Sequence, residues 1–300
     1  GTRTEPTLIR SPGFRLAIIA VLVFGLMAAL SPDRFLSAQN LTSMAFQFPE
    51  FAILALAMTI TMTTGGIDLS VVGVSNLSAV IAATILTSLA GPEATGLVAA
   101  MWLALALSAS LAVGATAGLF NGILVSRLGL PPILATLGSG LVFTGFAVAM
   151  TRGSAVMGFP DIVSVIGNAT LWVIPVPLIL FALLAVGLHV LLTRTGFGLR
   201  VTMYGANPLA ALYAGIDIDR VLLRVYVIAG MFSSVAGMVI MSRANSAKAD
   251  YGSSYLLLAV LIAVAGVLVG WFVGSWLAHG LATQYAEFFD FPYLIFRVSY

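Results

Sequence analysis

Thr63-Thr64-Gly65-Gly66-Ile67-Asp68-Leu69-Ser70 lies between two long apolar runs, Phe51 to Met62 and Val71 to Leu89. Two adjacent glycines and a carboxylate in that setting need a reason. A charge at the centre of a bilayer costs roughly 3 kcal/mol on the insertion scale unless it faces protein or water. Non-helical backbone is tolerated at that depth only where it is buried in protein or lines a cavity. The stretch therefore reads as a helix broken at Gly65-Gly66 beside a pathway. The chain reads as an all-α, polytopic helical membrane protein that carries something across.

Composition agrees. Apolar residues make up 60% of the 300 residues and charged residues 8%, against about 25% charge in soluble domains. No large soluble domain fits in what is left. The net charge of +2 points to neither nucleic acid nor an acidic partner. With no cysteine there are no disulfides, thiolate metal sites or Cys nucleophiles. His189 and His279 stand apart without ligand spacing, so no metal site is expected. No Ser/His/Asp constellation or paired carboxylates occur, so the chain is not expected to be an enzyme.

Eight apolar runs are long enough to cross about 30 Å of hydrocarbon. They are Leu16–Leu30, Met44–Thr64, Val71–Leu89, Leu97–Leu119, Ile133–Met150, Val173–Leu192, Val221–Met241, and Tyr255 to about Leu281. The last is long enough for one tilted span or two short ones. Leu16–Leu30 follows Arg3, Arg10 and Arg15 in the manner of a signal peptide. Further spans follow at once, so it reads as an uncleaved first helix. The chain begins at Gly1 rather than Met, so an upstream piece is expected. With the N-terminus (residues 1–15) cytoplasmic, Arg3, Arg10, Arg15, Arg127, Arg194, Arg200, Arg220 and Arg224 fall inside. Arg34, Arg152, Arg243 and Lys248 fall outside, an imperfect positive-inside bias.

Between Arg194 and Arg224 the chain carries a second organised feature. Asn207 can cap a helix whose first position is Pro208. Leu209, Leu212 and Tyr213 share a helical face, and Gly215 can end the helix. The short amphipathic helix lies either on lipid or in a cytoplasmic partner; pattern alone does not choose. Gly114, Gly118 and Gly122, like Gly266, Gly270 and Gly274, recur every four residues, a spacing that lets helices approach closely.

Thr64-Gly65-Gly66-Ile67-Asp68-Leu69-Ser70-Val71 resembles the signature of permeases from bacterial ABC importers for simple sugars, the ribose/xylose/arabinose group. Asn121-Gly122-Ile123-Leu124-Val125 with Leu128-Gly129-Leu130-Pro131-Pro132-Ile133-Leu134-Ala135-Thr136-Leu137-Gly138 is similar to that family's central segment. Thr195-Gly196-Phe197-Gly198-Leu199-Arg200, Gly205-Ala206-Asn207, Ala210-Ala211 and Gly215-Ile216 resemble its coupling loop. Ser242-Arg243 and Ala249-Asp250-Tyr251-Gly252 resemble the segment before its late helices. Four motifs in order, over residues 16–267, make the resemblance specific.

The resemblance implies a permease that forms the pathway for a monosaccharide and pairs with a second copy or a homologue. Two cytoplasmic ATPase subunits would bind ATP and magnesium, and a periplasmic sugar-binding protein would deliver the solute. No Gly-x-x-x-x-Gly-Lys-Ser/Thr occurs in this chain. The candidate pathway residues are Gly65, Gly66, Asp68, Ser70, Asn121 and Thr136. The candidate coupling residues are Gly205, Asn207, Leu209, Ala210, Leu212, Tyr213 and Gly215. Residues 268–300 depart from the family. Thr283-Gln284-Tyr285-Ala286-Glu287-Phe288-Phe289-Asp290-Phe291-Pro292 resembles instead a permease class of macrolide exporters and lipoprotein-release systems. A truncation, fusion or chimera after about Val267 is expected.

Each residue also has a plainer reading. Asp68 can orient substrate, or cap the helix starting near Ser70, or take backbone N–H groups freed by the glycines. Asn121 can bond across helices or face the pathway. Phe46, Phe48, Phe143 and Phe146 can stack on a sugar ring or pack in the core and lipid. Trp172 and Trp271 fit interfacial belts. An ion-coupled secondary transporter remains the alternative, with only Asp68 and Glu50 as candidate intramembrane carboxylates. A non-transporting scaffold is a third reading.

Overall fold

The computed structural model describes residues 12–252 and 255–267. The described residues fall into two units, Ala38–Ala263 and a smaller one holding α1 (Pro12–Leu30), α2 (Pro32–Phe35) and residues 264–267. Each is a separate body here. In the smaller, Phe24 and Phe35 meet edge to face.

The larger unit is helical almost throughout: α3 (Ala38–Met62), α4 (Val71–Ile85) with a π turn at Leu86–Ala90, α5 (Gly96–Ser126), α6 (Pro132–Thr151), α7 (Ser164–Asn168), α8 (Val176–Arg194), α9 (Gly196–Ala206), α10 (Pro208–Tyr213) and α11 (Ile218–Ala244). A last helix, α12, is described over Tyr255–Val267. The two strands, β1 (Thr170–Leu171) and β2 (Ile174–Pro175), make a minimal antiparallel hairpin. Its turn carries Trp172, which is 96% exposed, at φ +62°.

Among the described residues, six helices are long and apolar enough to cross a membrane: α3, α4 with its π turn, α5, α6, α8 and α11. They match six of the eight apolar runs. The first run contributes a shorter apolar helix, Val21–Leu30, and the last is described only as α12. The remainder of that run, and residues 268–300, where a departure from the family is expected from the sequence, lie outside the described residues. One boundary is corrected. The fourth run continues to Ser126, because Asn121 and Gly122 are buried against other helices and do not end it.

α11 is the central element and packs on α3, α4 and α5. Glycine sets the α5–α11 crossing. A Cβ on Gly118 would stand 2.1 Å from the Tyr226 carbonyl oxygen, and one on Gly230 2.1 Å from that of Gly114. No side chain fits there, so the Gly114/Gly118/Gly122 stripe is a packing surface. For the second stripe, Gly270 and Gly274 lie outside the described residues, and Gly266 meets nothing within 4 Å. Ile53, Leu54, Met58, Val225 and Val239 fill the core between α3 and α11.

Two contacts join segments that the charge count puts on the same side. Gly205 abuts the Thr63 carbonyl, and Val156 pairs with Ala247 in an isolated antiparallel bridge.

Candidate functional site

The interruption after α3 is built by backbone chemistry. Gly65 takes φ +79°. Gly66 N–H donates to Thr61 O at 3.3 Å and Gly65 N–H to Met62 O at 3.0 Å. These are the two bonds of a Schellman cap, which needs a residue in the left-handed region and so favours glycine. Threonine hydroxyls add to this: Thr63 Oγ1 donates to Ile60 O, and Thr64 Oγ1 to the same Thr61 O, both at 2.6 Å.

From Gly66 to Ser70 the chain runs outside any helix, beside α6. A Cβ on Gly66 would lie 3.1 Å from Pro132 and 3.1 Å from the Tyr226 hydroxyl. Leu69 N–H donates to Thr136 Oγ1 at 3.0 Å. Thr136 Oγ1 in turn lies 2.8 Å from Pro132 O and 3.2 Å from Ile67 O. At the middle of α6, a Cβ on Gly140 would lie 3.1 Å from the Ser70 Cα. So α4 starts level with the interior of a neighbouring span, as a broken helix requires.

Four of the six candidate pathway residues form one buried cluster. Asp68 Oδ1 accepts from Ser70 N–H at 2.8 Å and from Ser70 Oγ at 2.6 Å. Asn121 Nδ2 donates to Ser70 Oγ at 2.7 Å. Thr136 holds the same segment from α6. Asp68 is 2% exposed, and Ser70, Asn121 and Thr136 are 0%. The carboxylate thus tethers the start of α4, while Asn121 ties that start to α5. Gly66 flanks the cluster, and Gly65 makes the turn outside it.

Between Arg194 and Arg224 the chain folds as two helices, where the sequence suggested one. Thr195 Oγ1 caps α9 by accepting from Gly198 N–H at 3.1 Å. Asn207 Oδ1 caps α10 by accepting from Ala210 N–H at 3.0 Å. Gly215, at φ +74°, ends α10 in a second Schellman cap: Ile216 N–H donates to Ala211 O and Gly215 N–H to Leu212 O. Ala211 faces inward, whereas Leu209, Leu212 and Tyr213 are exposed, Tyr213 by 89%. Ala210 is exposed too. Gly205 joins this element to the interruption, because its Cβ position is 1.9 Å from Thr63 O.

The aromatic candidates divide. Phe48 packs edge to face on Phe181 and Phe143 on Phe120, while Phe146 is 58% exposed. Sequence reasoning did not join Glu50 to Arg243, whose side chains meet at 2.7 Å. Two lone opposite charges on different apolar spans were the available signal. It also missed Ser242 Oγ, which accepts from Gly167 N–H at 2.7 Å and donates to Val163 O at 2.5 Å. Among the described residues no three His, Cys, Asp or Glu groups gather as a metal site would need.

A family model described as branched-chain amino acid transport system / permease component matches residues 40–298. The chain is 34% identical over 257 residues to the autoinducer 2 import system permease protein LsrD of Klebsiella pneumoniae, covering 84% of this chain and 73% of that protein. It is 30% identical over 266 residues to LsrD of Yersinia enterocolitica, covering 86% and 77%. To LsrD of Photorhabdus laumondii it is 31% identical over 257 residues, covering 84% and 73%. No solved structure matches the chain.

Proposed function

We infer the function from one premise: the chain belongs to the branched-chain amino acid transport system / permease component family. It is a multi-pass membrane permease. Our reading is that it forms the translocation pathway of an ATP-driven bacterial inner-membrane importer. The solute is sugar-type, of the class that the relatives' name, autoinducer 2 import, indicates.

ATP and magnesium belong to separate ATPase subunits that dock on α10. A periplasmic binding protein presents the solute on the opposite face. A second permease copy or homologue completes the pathway. The Asp68–Ser70–Asn121 cluster holds the broken helix in register beside that pathway.

The observation that carries this reading is the exposed apolar face of α10, tied through Gly205 to the end of α3. Leu209, Leu212 and Tyr213 offer a docking knob. A push on α9 and α10 meets backbone at Thr63, a few residues from Asp68. The carboxylates at span depth also favour it over ion coupling. Asp68 bonds to Ser70 and Glu50 pairs with Arg243, two separate fixed sites rather than a relay.

The test is Leu212→Asp. Co-purification of the ATPase subunits should fall sharply, with solute-stimulated ATP hydrolysis, while the chain still inserts. Unchanged assembly and unchanged stimulation would sink the docking role.

A further inference from the structure

Among the described residues of a chain this poor in charge, one ion pair is set among the spans. Arg243 Nε donates to Glu50 Oε1 at 2.7 Å, and the two side chains are 26% and 6% exposed. The other described pairs, Arg220 with Asp217 and Lys248 with Asp250, lie at the surface. A buried pair is a poor way to gain stability, because desolvation offsets most of the attraction and apolar residues of like shape often do as well. Its presence calls for a use.

The pair stands in the wall of a cavity of about 430 Å³, within the usual range of about 300–1,000 Å³ for small-molecule sites. Gln47, Phe51, Tyr251 and Tyr255 also line it. Phe51 and Tyr255 meet edge to face with centroids 4.5 Å apart. The Tyr255 hydroxyl reaches the Glu50 carboxylate, and the Tyr251 hydroxyl lies 2.7 Å from Ser246 Oγ. Arg243 is in the last turn of α11. At about 1.5 Å per residue, that is the far end of the helix from α10.

We propose that this cavity is a binding station for a neutral polyhydroxylated solute, at the end of the permease opposite the α10 docking face. The proposal rests on the importer reading above. Charge decides the class of ligand. An anion here would face Glu50 and a cation Arg243, so a neutral solute suits the paired site. A hydroxyl both donates and accepts, so adjacent hydroxyls can take protons from the guanidinium and give them to the carboxylate. The fork of Arg243 adds directionality. The rings of Phe51 and Tyr255 supply an apolar wall for the C–H face of the solute.

The experiment uses the complete importer, with its ATPase and binding protein, in proteoliposomes. Uptake of D-ribose and of autoinducer 2 is measured for Tyr255→Phe, Gln47→Ala and the double change Glu50→Leu/Arg243→Leu. Membrane level and solute-free ATP hydrolysis are followed alongside. Loss of one hydrogen bond to solute corresponds to about a tenfold loss in uptake efficiency. Tyr255→Phe and Gln47→Ala should each approach that loss and change the ratio between the two solutes, at wild-type assembly and basal hydrolysis. The double change should assemble but transport neither. Wild-type uptake by Tyr255→Phe and Gln47→Ala, or an equal drop for both solutes, would overturn the binding station and leave the importer reading standing. Failure of the wild-type chain to take up either solute would overturn both.

Discussion

Ser70→Ala removes one oxygen and two hydrogen bonds from the buried cluster. The Ser70 hydroxyl gives its proton to Asp68 Oδ1 at 2.6 Å and accepts from Asn121 Nδ2 at 2.7 Å. A hydrogen bond to a charged group contributes about 1.5–3 kcal/mol, and leaving a buried donor unpaired costs about 1–3 kcal/mol. Asp68 keeps the Ser70 N–H, so the losses fall short of their sum, at about 3 kcal/mol. At about 2–4 °C of Tm per kcal/mol for chains of this order, melting should drop by about 6–12 °C. Intrinsic tryptophan fluorescence of the detergent-solubilised protein reads this directly. A second arm adds Asn121→Ala. With no hydroxyl at residue 70, the Asn121 amide has already lost its partner, so the double variant should cost about 1–2 kcal/mol less than the two singles summed. A Ser70→Ala shift below about 2 °C, or strict additivity, would refute the cluster as the tie between the start of α4 and α5.

Gly205→Val forces a side chain into the Thr63 carbonyl, 1.9 Å from the Cβ position. The variant should insert and still bind ATPase subunits through α10, yet lose most solute-stimulated hydrolysis; full stimulation would show that the contact transmits nothing. Gly118→Val places a branched side chain 2.1 Å from the Tyr226 carbonyl oxygen, which should abolish the α5–α11 crossing. Fluorescence-detected size exclusion should show aggregated chain, and a monodisperse peak at the wild-type yield would contradict that packing.

Local features were readable from the sequence because their causes are local. Asn207 before Pro208, Gly215 after Tyr213 and Gly65-Gly66 after a threonine run each act within six residues, and each does in the structure what its chemistry suggests. Apolar run length likewise located six spans. The partners of Asp68 and Asn121 were less accessible. Asn121 reaches Ser70 across 51 positions, a pairing set by how α5 crosses α4. The Glu50–Arg243 pair depends in the same way on α3 and α11 meeting, which no local pattern encodes. α9 was hidden for another reason. Gly196, Gly198 and Gly205 depress its helix propensity. Yet close packing requires two of them: a Cβ on Gly198 would strike Leu192 O, and one on Gly205 Thr63 O. Tertiary contact overrides propensity there.

The most direct test of the central claim is the energy source of uptake. The purified chain is reconstituted with its ATPase subunits and binding protein, and autoinducer 2 uptake into proteoliposomes is followed with ATP inside or outside the vesicle, and with a protonophore and a sodium ionophore. The account predicts uptake that needs ATP on the α10 side and persists when ion gradients are collapsed. Uptake that proceeds without ATP and stops with the gradients would contradict it and establish the ion-coupled alternative.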